Sequence, residues 1–146
     1  MSFAARLTRA AALYFAIVFA VGLVLGPARV LWLEPWLGKT IAVLCEAPLL
    51  IAAMVFAAKW APTWTRFDGD WRAYLVMGFA ALVLQQVADL AVGFGLRGMT
   101  LTDQFAYFGT PPGYIYAACL AVFALAPFVQ HLRAPRSSAS AITHSP

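Results

Sequence analysis

The stretch GPARVLWLEPWLGKTIAVLCEAPLL, residues 26–50, sets an arginine, a lysine, two glutamates and three prolines in or beside sequence that otherwise suits hydrocarbon. Upstream of it the uncharged run reaches back to Ala10, and downstream an apolar run continues to Ala58 with Glu46 as its one charge. Each run is about 20 residues long, enough at about 1.5 Å per residue to cross a hydrocarbon core of about 30 Å. The quoted segment therefore reads as the turn between two membrane-crossing helices, with Trp32, Trp36 and "EPWLGK" marking the interface.

The rest of the chain agrees with that beginning. Of 146 residues, 63% are hydrophobic and 11% charged, where a soluble domain carries about a quarter charged residues. A mean hydropathy of +0.80 excludes an ordinary water-soluble fold. The formal net charge of +4 needs no nucleic acid partner, because the basic residues sit at the ends of the apolar runs, where membrane proteins place them. Cys45 and Cys119 lie inside apolar runs with no CxxC, so they read as small buried hydrophobes rather than a disulfide or exchange site. Arg6 and Arg9 precede a stretch too long for a signal-peptide core and lacking an A-x-A site, so it reads as an uncleaved first span.

The expected fold is all-α: an integral membrane bundle of four transmembrane helices, spans at about 10–33, 40–60, 71–96 and 113–132, within one domain of residues 1–132. A Ser- and Pro-containing polar tail, 133–146, is expected to be disordered. Lys and Arg divide seven (Arg6, Arg9, Lys59, Arg66, Arg72, Arg133, Arg136) against three (Arg29, Lys39, Arg97) between alternate sides, which places both termini in the cytoplasm. In the third loop Thr102 is expected to cap a short aromatic helix running to Phe108, with Asp103 in its first turn.

The polar residues within the spans are the candidate site. Glu46 falls about six residues below the outer end of span two and Asp89 about seven below that of span three, so the carboxylates share a depth, with Arg29 just above. A charge in the bilayer centre costs on the order of 3 kcal/mol on insertion scales, so such groups face the bundle interior and find partners. The reading is an Arg29, Glu46 and Asp89 cluster in the outer half, with Gln85 and Gln86 beside it. Gly22 and Gly26 share the face of Arg29, in a spacing that suits close helix contact, and Gly78, Gln85, Asp89 and Gly93 form a like stripe on span three. Pro27 and Pro48 each remove a backbone hydrogen bond next to a charge and are expected to kink their helices. Either Arg29 neutralises one carboxylate while the other is protonated or held by Gln85 or Gln86, or an acidic side chain exchanges a proton for a cationic substrate.

No HExxH, GxSxG, P-loop or Rossmann pattern occurs, no pair of histidines lies within the spans and no cluster has metal-ligand spacing, so no catalytic residue, metal or cofactor is assigned. The segment "LGPARVLWLEPWLGKTIAVLCEAPLLIAAMVFAAKW", with Arg29, the Glu46-x-Pro48 pair, Lys59–Trp60, Asp89 and Thr110–Pro111, resembles a group of uncharacterised small bacterial inner-membrane proteins with four spans. That resemblance implies the architecture and a multi-pass bacterial inner-membrane location, and no activity. The small multidrug exporters also have four spans and a membrane glutamate, but theirs is in the first span, and span one here has no acidic residue. Two functions follow as expectations. One is a non-enzymatic accessory or structural membrane protein, partnered by the bilayer and by itself or another membrane protein. The other is a small dimeric proton-coupled transporter using Glu46 or Asp89.

Overall fold

The computed structural model describes residues 1–135, and every regular element among them is helical. The helices are α1 (Phe3–Ala28), α2 (Glu34–Leu37), α3 (Lys39–Thr65), α4 (Trp71–Leu96), α5 (Leu101–Tyr107) and α6 (Pro111–Arg133), with a π-helical segment, Arg29–Leu33, joining α1 to α2. Four units are long and apolar enough to cross a membrane: Phe3–Leu37, Lys39–Thr65, Trp71–Leu96 and Pro111–Arg133. The tail expected to be disordered lies outside the described residues from 136 onward.

α4 coincides with the expected span 71–96, and the other three spanning units outrun theirs for local reasons. α1 starts seven residues before Ala10 because the Ser2 hydroxyl accepts from the Ala5 N–H and caps it. The first spanning unit does not stop at Leu33: Glu34 to Leu37 are still helical, and the turn expected across "EPWLGK" is one residue, Gly38, at φ 77°. Only glycine takes that backbone without strain, so the reversal falls there. α3 continues through Pro62 to Thr65 and ends on Arg66 at φ 50°. α1 and α3 remain helical through Pro27 and Pro48, so neither proline ends a helix.

The short helix begins earlier than expected. Thr100, not Thr102, is its cap, because a capping box needs an acidic residue three positions on: Thr100 Oγ1 accepts from the Asp103 N–H while Asp103 Oδ2 accepts from the Thr100 N–H. The Thr100 hydroxyl also donates to Asp103 Oδ2 at 2.7 Å, and that bond, with the one from the Thr100 N–H, holds the Asp103 carboxyl below the usual carboxylate range.

α1 lies against α3 and α4, and α6 against the same two, so the order round the bundle is α1, α3, α6, α4. The chain thus forms two antiparallel hairpins, α1/α3 and α4/α6, that meet through parallel neighbours. One end is identified by Phe3 on Phe67, Phe67 on Tyr74 and Tyr74 stacked on His131. The opposite end carries the π segment and α5, tied by Lys39 over the Tyr107 ring.

The packed core fills only the first of these ends. Ala10, Ala57, Ala61 and Ala81 are wholly buried there, with Tyr14, Met77 and Phe123 between them. Alanine lets backbones approach closely where no water competes for the gap. A close approach of this kind is at Gly78, where any Cβ would run into the Ala124 carbonyl of α6. Tyr14 stacks on Phe123 across the bundle and donates its hydroxyl to the Phe123 carbonyl at 2.7 Å, which satisfies that buried group. Outward, Val24, Phe79, Val83 and Val87 are exposed, an apolar surface of the kind a bilayer covers.

Candidate functional site

In the other half the four helices do not close on one another. They enclose a cavity of about 740 Å³ whose floor is Val18, Met54 and Phe123, the top of the packed core. All five polar residues singled out within the spans, Arg29, Glu46, Gln85, Gln86 and Asp89, line it. Gly22 and Gly26 line it too, and nothing lies within 4 Å of a Cβ built on either. Their spacing was expected to bring a second helix close; instead it leaves room, because the neighbours that would fill the groove are held apart around the cavity. Gly93, by contrast, is a contact glycine: a Cβ there would strike the Gln104 side chain of α5.

The cavity wall carries two polar sets rather than one. The first is built on the π segment. Arg29 Nη1 donates to Glu34 Oε1 at 2.7 Å, and Arg29 Nε lies 2.7 Å from Glu46 Oε2. The Nε–H bond is not aimed at that oxygen, so the second contact is an ion pair by charge and proximity without an aligned hydrogen bond. All three side chains are largely shielded, at 11% exposure for Arg29, 23% for Glu34 and 12% for Glu46. In an α-helix, positions five apart point about 140° from each other. The wider π turn, closed by the Glu34 N–H on the Arg29 carbonyl, brings them to one side. It follows two residues after Pro27, whose missing N–H frees the preceding turn.

The second set stands across the cavity. Asp89 does not join the arginine: among the described residues Arg29 makes the ion pairs and Asp89 makes none. Gln85 Nε2 donates to Asp89 Oδ1 at 2.9 Å, and the Tyr116 hydroxyl of α6 donates to Asp89 Oδ2 by a short hydrogen bond. Gln86 Nε2 reaches the same hydroxyl at 3.5 Å. Both carboxylate oxygens are thus occupied by neutral donors. With its carboxylate ionised Asp89 only accepts, which turns the Gln85 amide nitrogen toward it, and among the described residues Gln85 Oε1 is left buried with no donor.

Two members of these sets do not stand out in the sequence. Glu34 reads as part of a turn and Tyr116 as an interfacial aromatic. Tyr116 is detectable by depth: it lies five residues into α6, roughly 7.5 Å, close to the roughly 10 Å that separate Asp89 from the end of α4. The cysteines divide as well: Cys119 is buried on the cavity wall, while Cys45, expected to be buried, is exposed on the outer face of α3. Helical phase explains this, since Cys45 precedes Glu46, and turning Glu46 inward rotates Cys45 away by about 100°.

Lys39, Arg97, Leu31 and Leu96 line the cavity and are exposed, so they mark where it reaches the surface. Among the described residues no three His, Cys, Asp or Glu side chains gather as metal ligands. No protein-family profile, curated protein or solved structure matches the chain.

Proposed function

We propose that the protein is a multi-pass protein of the bacterial inner membrane, with both termini cytoplasmic, that holds a small amphipathic molecule in its outer half. The observation that carries this reading is that the polar residues of the spans form two separate sets on the wall of a cavity of about 740 Å³ instead of joining into one cluster. Ligand sites of this kind run from about 300 to 1,000 Å³, mostly apolar with a few convergent polar groups. Glycine at positions 22 and 26, with open space before both, supports the same view.

The two polar sets take different parts in it. The Arg29, Glu34 and Glu46 set is internally paired and serves the architecture, fixing the π segment against α3. This is the observation that favours a structural or accessory role for Glu46. Among the described residues Asp89 forms no ion pair. It is the residue at which a proton and a ligand would compete, so a proton-coupled dimer is the natural extension of the reading.

Native mass spectrometry of the gently extracted protein tests it. The expected spectrum shows one non-covalently held small molecule per chain, lost in Gly22→Leu. A bare chain, or a stoichiometric complex with another protein that Gly22→Leu leaves intact, would replace this reading with the accessory one.

A further inference from the structure

We propose that the molecule held in the chamber is an amphipathic organic cation with N–H donors, an amine or guanidine, seated on Asp89 and Gln85. The proposal rests on the reading of the open half as a binding chamber and names the class of ligand it takes.

Three observations lead to it. The Asp89 carboxylate sits on the cavity wall with no ion pair, its charge met only by the neutral donors Gln85 and Tyr116. Beside it, Gln85 Oε1 is a buried acceptor with nothing donating to it, an arrangement whose cost is removed when a donor arrives. Carboxylate and amide oxygen together present acceptors and negative charge, the complement of a charged N–H group. The neighbouring wall has the opposite character: Gly22, Gly26 and Leu23 of α1 give an apolar slot beside the polar end. An anionic ligand would meet the Asp89 charge directly, and a purely apolar one would leave Gln85 Oε1 unmet.

The cavity also has cations on its lining, and their placement matters. Arg29 is consumed by Glu34 and Glu46. Lys39 and Arg97 are exposed at the rim, Lys39 over the Tyr107 ring. A cation carried on an apolar tail avoids that rim by passing the exposed edge of α1 at Leu23.

Calorimetric titration of the full-length protein in micelles, with protein-free micelles as blank, distinguishes the outcomes, using octylguanidinium, octanol and octanoate as probes. Octylguanidinium is expected to bind at least about tenfold more tightly than octanol, the worth of a hydrogen bond to a charged group. Asp89→Asn should erase that preference while octanol binding persists. Gln85→Met should cut octylguanidinium affinity by about tenfold and leave octanol unchanged, and it decides the matter should Asp89→Asn fail to accumulate. Equal binding of octanol and octylguanidinium, or tighter binding of octanoate, overturns the cation while leaving the chamber. Binding of no probe, with Gly22→Leu indistinguishable from the parent, overturns the chamber and the cation together.

Discussion

The two halves of this bundle use the same four helices for opposite ends. Toward Phe3 and Phe67, alanines bring the backbones together until Gly78 has no space for a methyl group. Toward α5, Gly22 and Gly26 stand before open space and charged side chains occupy the walls. Small residues are therefore not a single signal. An alanine or glycine opposite a backbone is a contact, and a glycine opposite a void is a reserved volume. The difference also separates stability from activity, because a bundle held by one half is free to leave the other unfilled.

Substitutions in each half sharpen that contrast. The largest effect is expected from Phe123→Ala, which hollows the top of the closed half and should cost about 3–5 kcal/mol in unfolding measured in micelles. Arg29→Gln should come next, at about 3 kcal/mol, because it leaves Glu34 and Glu46 shielded without a cation. Preservation of full stability in that variant would mean that the π segment is held by something other than this pair.

A matched pair of glycines gives a smaller and more discriminating result. Gly78→Ala should destabilise by about 1–3 kcal/mol, since the obstacle is the Ala124 carbonyl rather than a side chain that can turn aside. Gly22→Ala should be neutral or stabilising by up to about 1 kcal/mol, the helix preference of alanine over glycine. Equal costs at both positions would remove the distinction between the halves.

The smallest effect belongs to α5. The Asp103 carboxyl is held below its ordinary value in the fold, so its contribution is fully present above the unfolded pKa of about 3.9 and is lost as pH falls through the lower folded value. Hydrogen exchange of residues 101–107 should accelerate across that acidic window. Thr100→Val, which removes the hydroxyl that donates to the Asp103 carboxylate, should abolish part of the change.

Much of this architecture is legible in residues alone. Four apolar runs of spanning length, separated by Pro, Gly and Trp punctuation, lead directly to four long helices, because hydropathy and length are local properties. The inward-facing residues are legible too, since Gln85 and Asp89 are four apart and Gly22 and Gly26 four apart. What the chain does not reveal is which helices are neighbours. Without that order, Asp89 reads as a partner for Arg29, whereas α6 brings Tyr116 to it instead. Nor does periodicity foresee the π segment, which puts Glu34 on Arg29 by breaking the α-helical phase on which such readings depend. The void itself is a property of four helices together and has no sequence signature.

The account depends most on Gly22 and Gly26 facing space that is reserved rather than mispacked. The direct measurement is the thermal unfolding of Gly22→Leu/Gly26→Leu in micelles beside the parent protein. Retained folding at an unchanged or higher midpoint is predicted, with the leucines filling the chamber. A large drop in the midpoint, or failure to accumulate, would mean that these glycines press against a neighbouring helix and that the open half is a contact like the closed one.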